Sequence, residues 1–236
     1  VSYVFSMTLR PGWDSTVFGI YFVIGAIFSG IASILIVMAI FRKLYHLEEY
    51  ITERHFRNLS YLLLVTLLLY VYLTFGEYLT VGYKMQTEEK HLLSLLMLEG
   101  GAPWFWFFVI GGLVVPFFLL IIRRGPTIPR ILVAAALVNV AMWIKRFVVV
   151  IPSLQVPLMP FEFGAYTPTW VEWSITAAAF AAFILIFAIA AKVIPLISVW
   201  EVAEEAEAKE HVPLKEAEEI LERGRRPGRA EVREVR

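Results

Sequence analysis

The sequence contains no cysteine, which excludes disulfide bonds, thiolate-bound iron–sulfur clusters and catalytic thiols in this chain. Histidine is scarce too, and none falls in a predicted membrane span, where the haem of a membrane cytochrome would need its axial ligands. The four histidines are His46, His55, His91 and His211. We find no phosphate-binding loop, dinucleotide motif or metal-ligand spacing of carboxylates and histidines. We therefore expect the chain to bind no metal and no cofactor through its own ligands.

Charged residues are few, at 18% of the chain, whereas hydrophobic residues make up 59% and the mean hydropathy is +0.70. Their distribution is uneven, because residues 201–236 contain 19 of the 42 charged side chains. The first 200 residues therefore have too few charges to cover a soluble domain, and lipid is the solvent that suits them. Acidic and basic residues are equal in number, so nothing indicates a nucleic-acid partner.

Five apolar runs are long enough to cross a bilayer, which takes about 20 residues of helix. Their length and lack of alternation predict helices and not barrel strands. The runs cover residues 17–41, 59–80, 104–122, 131–151 and 171–197. We predict an all-α polytopic bundle over residues 1–200, with four helices forming a bundle and one flanking it. Residues 201–236 are predicted to form a charged helical tail.

The distribution of basic residues predicts the orientation in the membrane. The loops after the first and third spans contain Arg42, Lys43, Arg54, Arg57, Arg123, Arg124 and Arg130. The opposite side contains Arg10, Lys84, Lys90, Lys145 and Arg146. Seven against five favours a cytoplasmic position for the first group. We predict a multi-pass protein of the bacterial inner membrane, with the chain start outside and the tail in the cytoplasm.

Ionisable and aromatic residues gather at the predicted outer ends of the spans. On the second span, helical spacing places one set on a shared face: Thr66, Tyr70, Thr74 and Glu77. On the fourth span, the same spacing aligns Asn139, Trp143 and Arg146. An ion pair with interhelical hydrogen bonds is one interpretation, and an interfacial aromatic belt explains many of the Trp residues. The other is a site that binds an amphipathic ligand and passes protons.

Several motifs resemble those of the NrfD/polysulfide-reductase family of membrane subunits. They are PGWDSTVFGIYF at residues 11–22 with GAIFSG at 25–30, Glu77-Tyr78, WIKRF at 143–147, YTPTWVEW at 166–173 and PLISVWE at 195–201. The similarity covers residues 1–201, and within the family it is greatest to the larger quinol-interacting membrane subunit of alternative complex III. The resemblance implies two four-helix bundles plus flanking helices, of which this chain would be the second half.

The resemblance also implies partners and a substrate. The expected partners are an iron–sulfur subunit on the outer face, subunits with haem c, a second NrfD-like membrane subunit and lipid. The substrate would be quinol or quinone, with the redox centres held by the partner subunits. The implied function is quinol oxidation near the outer leaflet, electron transfer to the iron–sulfur subunit, and release or translocation of protons.

The residues suggest specific roles under this hypothesis. Glu77 is the candidate proton acceptor or relay, because a partly buried carboxylate suits that work, and Arg146 would stabilise nearby negative charge. The pocket candidates are Tyr78, Trp143, Tyr166 and Trp170. The proton-pathway candidates are Asp14, Thr66, Tyr70, Thr74, Asn139 and Glu172.

Three alternatives remain open at the level of sequence. The first is a proton-translocating bundle that has no quinone site of its own. The second is the membrane subunit of a polysulfide or molybdopterin-type reductase. The third is a fragment of a transporter, although the paired broken helices that are typical of transporters are not evident.

Overall fold

The computed structural model describes residues 2–48, 50–84, 86–121, 127–157 and 166–193. All regular secondary structure in these ranges is helical. The chain divides into two units, one ending at Thr167 and the other beginning at Pro168. The predicted cytoplasmic tail, residues 201–236, lies outside the described residues.

The first unit contains α1 to α7, and the second contains α8. The helices are α1 (Ser2–Ser6), α2 (Phe18–Leu44), α3 (Glu53–Lys84), α4 (Thr87–Met97), α5 (Ala102–Val109), α6 (Val115–Leu120), α7 (Ile128–Gln155) and α8 (Trp170–Val193), with a π-helical segment, Ile110–Val114, joining α5 to α6. Within the described ranges, five helical stretches are long and apolar enough to cross a membrane: α2, α3, the α5–α6 stretch, α7 and α8. The prediction of a helical bundle with five spans is therefore confirmed.

The helix ends differ from the predicted ones in informative ways. α7 continues through Pro152 to Gln155, four residues beyond the end of the predicted run at residue 151. Proline has no backbone N–H, so the bond that position 152 would donate to the Val148 carbonyl is missing. Ser153 Oγ adds contacts to this last turn by donating to the carbonyl oxygens of Val149 and Val150, at 2.8 and 3.0 Å. The short helices α1 and α4 contain no long apolar run, so the hydropathy pattern did not predict them.

The buried residues of α3 recur at alternating intervals of four and three. They are Phe56, Ser60, Leu63, Leu67, Tyr70, Thr74, Glu77 and Val81. This repeat keeps one narrow face of a long helix directed at its neighbours. α3 packs against α2, α6 and α7, and α7 also contacts α5, the π-helical segment and α4. The central position of α7 explains why its middle is rich in small residues, including Ala134, Ala135 and Ala141.

Aromatic stacking fixes the contact between α2 and α3. The Tyr70 ring lies parallel to the Tyr21 ring, with centroids 4.8 Å apart and planes at 7°, and it also stacks on Phe28 at 5.6 Å. Gly25 makes room for this arrangement, since a Cβ there would lie 2.9 Å from Tyr70 Cε2 and 3.0 Å from Met142 Cε. The π-helical segment also approaches its neighbour closely, because Gly112 has no side chain and lies against Ala141 of α7.

α8, the second unit, begins with half of a capping box. The backbone amide of Thr169, the residue before α8, donates to Glu172 Oε2 at 3.1 Å, and Glu172 is the third residue of the helix. The side chain of Glu172 thus stabilises the start of α8. The sequence indicated Glu172 only as a proton-pathway candidate and did not predict this structural role.

The Gly25 contact leads to a test of packing. Gly25→Ala should lower the midpoint of thermal unfolding in detergent, because overpacking of a core of this kind costs about 1–3 kcal/mol. Gly30 on the same helix is the matched control, since nothing lies within 4 Å of a Cβ there, and Gly30→Ala should leave the midpoint unchanged or raise it. Equal midpoints for the two variants would contradict the packing argument.

Candidate functional site

Two cavities lie side by side in the first unit. The smaller, which we call the chamber, has a volume of about 40 Å³, and Glu77, Tyr78, Tyr21 and Lys145 are among the residues that line it. α2, α3, α4 and α7 all contribute to its wall. The remaining wall is the strap, which we define as residues 8–17, between α1 and α2.

Glu77 is the acidic group of the chamber. Its side chain is only 5% exposed, because position 77 falls on the buried face of α3. Ser15 Oγ donates a hydrogen bond of 2.5 Å to Glu77 Oε2. Glu77 Oε1 is buried and has no hydrogen-bond partner in the described part of the chain. An acceptor in that condition is costly in an apolar interior, and a hydrogen-bond donor at this oxygen would lower the cost.

The strap holds Ser15 in place through contacts with α7 and α4. Trp13 Nε1 donates to the Val149 carbonyl at 2.9 Å, and Arg10 Nη1 donates to the Val156 carbonyl at 3.4 Å. Gly12 turns the chain with φ +79°, a conformation that favours glycine, and a Cβ there would lie 2.7 Å from Leu92 Cδ2. The strap therefore fits closely against α4 and delivers the serine hydroxyl to Glu77.

Lys145 is the basic group of the chamber and is 4% exposed. Its Nζ donates to the Tyr78 hydroxyl at 2.6 Å. Three aromatic rings surround the ammonium group, with Nζ lying 4.8 Å from the centroid of Tyr78, 5.0 Å from that of Phe108 and 5.4 Å from that of Tyr21. Cation–π attraction of this kind is strongest where water is excluded, and it offsets part of the cost of burying the charge.

The larger cavity, which we call the aromatic pocket, has a volume of about 170 Å³ and lies against α2 and α7. Phe5, Phe18 and Phe22 give it an apolar lining, and Arg146 brings a guanidinium group to its wall. Phe18, Tyr21, Lys145 and Val149 line this pocket and the chamber alike, and we call these four residues the partition. Lys145 and Tyr21 are its polar side chains, between an apolar binding space and a buried carboxylate.

Hydroxyl groups continue from the partition into the bundle. The Tyr70 hydroxyl donates to the Tyr21 hydroxyl at 2.9 Å. Thr74 Oγ1 donates to the Tyr70 carbonyl at 2.7 Å, and both residues are buried. Farther along α2 and α7, Ser33 Oγ donates to Asn139 Oδ1 at 3.2 Å.

The structure brings together some of the predicted site residues. Glu77 and Tyr78 line the chamber, Arg146 lines the aromatic pocket, and Tyr70 lines that pocket from α3. Thr66 is half-buried and donates to the carbonyl oxygens of Leu62 and Leu63 on its own helix.

Other predicted residues lie elsewhere. Asp14 is exposed on the strap, next to Ser15, and Trp143 and Tyr166 are exposed as well. Trp170 and Glu172 belong to α8, the second unit. The cation that shares a cavity with Glu77 is Lys145, whereas Arg146 lines only the aromatic pocket of the two.

Lys145, Ser15 and Tyr21 were not among the site residues predicted from the sequence. A signal for Lys145 exists in the spacing of the buried face of α7, which runs through Val138, Ala141, Lys145 and Val148 at intervals of three, four and three. Position 146 is one residue beyond that face, a rotation of about 100°.

A metal centre would need several ligands in one place. Among the described residues, no group of three or more His, Asp or Glu side chains is arranged to hold a metal ion. The expectation that the whole chain binds no metal stays a prediction.

Comparison with known families agrees with the motifs at residues 11–30, 77–78 and 143–147, whereas the motifs at 166–173 and 195–201 lie beyond the matched region. Residues 1–157, which include the strap, the chamber and the aromatic pocket, match the family described as "Polysulphide reductase, NrfD". No curated protein sequence matches the chain at a significant level. The match covers more than half of the chain, and the five membrane-length helices agree with it. The protein is a multi-pass membrane subunit that belongs to the NrfD family, in which membrane subunits of this kind serve polysulfide- and quinol-type reductase complexes.

Proposed function

We propose that this chain supports quinol oxidation as a membrane subunit of a respiratory complex similar to alternative complex III. The observation that carries the proposal is the buried pair of Glu77 and Lys145, which share one chamber beside a pocket lined by aromatic rings. Buried ionisable groups at membrane depth are expensive, and function is the usual reason for them. The proposed location is the bacterial inner membrane, with the chain start outside and the tail in the cytoplasm.

The electrons would leave through partner subunits. Quinol oxidation releases two electrons and two protons, and this chain has no cysteine to hold an iron–sulfur cluster. We assign the clusters to an iron–sulfur subunit on the outer face and haem c to further subunits, with a second NrfD-like subunit beside this one in the lipid. The work of this chain is then to bind quinol and to take its protons.

The aromatic pocket suits the head group of quinol. Its volume of about 170 Å³ and its phenylalanine rings favour a flat apolar ring, and Arg146 can donate hydrogen bonds to an oxygen of that ring. Lys145 approaches the same pocket from the partition. Trp143 and Tyr166 remain candidates for shaping the access to the ring. Tyr78 lines the chamber, and Trp170 belongs to the second unit, so their part in a quinone pocket stays a prediction from the sequence.

Glu77 is the proposed proton acceptor. Its position behind Lys145, on the far side of the partition from the aromatic pocket, lets a proton move away from the quinol as the electrons leave. Ser15 donates to Glu77, and Asp14, its exposed neighbour in the chain, is the proposed next group toward the outer surface. Glu172 is retained as a weaker candidate for proton exit.

A second candidate function rests on the Tyr70–Tyr21 hydroxyl pair. These buried hydroxyls, with Thr74, Thr66 and Asn139 farther along the bundle, resemble part of a half-channel. In that case the chain would translocate protons in response to redox events elsewhere, with no quinone site of its own. A polysulfide or molybdopterin-type partner is the corresponding alternative for the complex.

The role of Glu77 is tested by Glu77→Gln, which keeps the shape of the side chain and removes its capacity to accept a proton. We expect quinol turnover of the purified complex to fall by about 10²-fold or more, the range for loss of a general base. Glu53→Gln, at the exposed start of the same helix, is the control and should retain turnover. Full turnover of an intact Glu77→Gln complex would remove Glu77 from the mechanism.

The role of Arg146 is tested by Arg146→Gln. Loss of a charge-assisted hydrogen bond to the substrate should raise the KM for quinol by roughly tenfold, with a smaller effect on kcat. Arg130→Gln lies at the exposed opposite end of α7 and should leave both constants unchanged. If the Arg146 variant lowers kcat alone, or changes neither constant, the quinol ring does not bind beside this guanidinium group.

The half-channel is tested by Tyr70→Phe, which removes the buried hydroxyl and preserves the stacked ring. If the second candidate is correct, the protons moved per electron should fall while quinol oxidation continues. Tyr72→Phe provides the control, because Tyr72 is 71% exposed on the same helix. Parallel loss of both activities, or no change in either, would count against a half-channel at Tyr70.

A further inference from the structure

Among the described residues of the chamber, Glu77 has an acceptor without a donor, and Lys145 has donors without an acceptor. Glu77 Oε1 is buried without a donor in the described part of the chain, while Oε2 is occupied by Ser15. Lys145 has three N–H donors, and its hydrogen bond to the Tyr78 hydroxyl uses one. Both side chains are at least 95% buried and line the same cavity. Glu77, which has an oxygen without a donor among the residues that the structure describes, and Lys145, which has N–H groups without an acceptor there, therefore line the same small cavity.

The size of the chamber selects what can join them. A cavity of about 40 Å³ exceeds the roughly 10–15 Å³ that one water needs by this measure, and it is far too small for a substrate. A water would accept from Lys145 Nζ and donate to Glu77 Oε1, and it would find a further oxygen atom at Tyr78, which also lines the chamber. A metal cation fits less well, because carboxylate and ammonium already balance and an added positive charge would be buried without compensation.

We propose that the chamber is a binding site for ordered water, which connects Glu77 Oε1 to Lys145 Nζ and makes the two side chains one proton-exchange unit. In the exchange, an N–H bond of Lys145 breaks and its proton joins the water, while a proton of that water forms an O–H bond at Glu77 Oε1. Ammonium and carboxylate become amine and carboxylic acid, and the water is regenerated. The amine is then able to take a proton from the aromatic pocket.

The use of this exchange in quinol oxidation rests on the proposed function, but the presence of the water does not. The direct experiment is electron cryo-microscopy of the purified complex at a resolution that places ordered waters. We expect density within hydrogen-bond distance of both Glu77 Oε1 and Lys145 Nζ. An empty chamber, a protein donor on Oε1, or a cation ringed by oxygen atoms with Lys145 turned away would overturn the proposal.

A functional experiment reduces the volume of the chamber while leaving both charged groups in place. Val148→Ile and Val81→Ile each add one methylene to a lining residue that is less than 7% exposed. The matched controls, Val140→Ile on α7 and Val71→Ile on α3, add the same methylene at exposed positions. We expect the chamber variants to lower quinol turnover by roughly tenfold, part of the range for proton-transfer catalysis, and the controls to retain it.

The outcomes separate the two proposals. If ordered water is present but Glu77→Gln keeps full turnover, the water site stands and the proposed function fails. If Glu77→Gln is inactive while the chamber holds no water, the proposed function stands and the water link is wrong. Chamber variants that assemble normally, exclude the water and match their controls in turnover would overturn the exchange unit.

Discussion

The cost of burying a carboxylate and an ammonium group in an apolar bundle is the constraint on which the rest of this structure depends. Glu77 and Lys145 are both at least 95% buried, and each is stabilised by groups from other segments. Ser15 on the strap donates to the carboxylate, and Tyr78 accepts from the ammonium, which three aromatic rings surround. The left-handed turn at Gly12 brings the strap against α4, and Gly25 leaves room for Tyr70 to stack on Tyr21, one of these three rings.

The two cavities divide the chemistry that an NrfD subunit would need. The aromatic pocket offers an apolar space with a guanidinium group at its wall, and the chamber keeps a carboxylate out of contact with that space. Lys145 and Tyr21 belong to both linings, so protons that cross between the cavities meet these side chains. Under the proposed function, this separation would let quinol bind by apolar contact while Glu77 keeps its hydrogen bond to Ser15.

The spacing of polar residues predicted one polar face on α3 and one on α7, and the structure agrees with the first more closely than with the second. On α3, Tyr70, Thr74 and Glu77 lie on the buried face as the spacing indicated, but Thr66 is half-buried, because the face repeats every 3.5 residues. On α7, the buried face contains Lys145, and the predicted Arg146 lies one residue away from it. A shift of one residue exchanges which cation shares the chamber with Glu77. The polar residues of α7 do not resolve that shift, and the signal for Lys145 is the spacing of its buried neighbours Val138, Ala141 and Val148.

The sequence by itself determined that the chain is an all-helical membrane protein with five spans, because long apolar runs have no other stable form in lipid. Its motifs also determined the family, and its spacing marked Glu77 as a candidate. Only the tertiary structure decided that Lys145 and Ser15 accompany Glu77, and that α4 and the strap complete the chamber. Those contacts join positions 62 and 67 residues apart in the chain, and they depend on the rotation of each helix about its axis. Packing against neighbouring helices sets that rotation, and a single sequence specifies it only through the whole set of interhelical contacts.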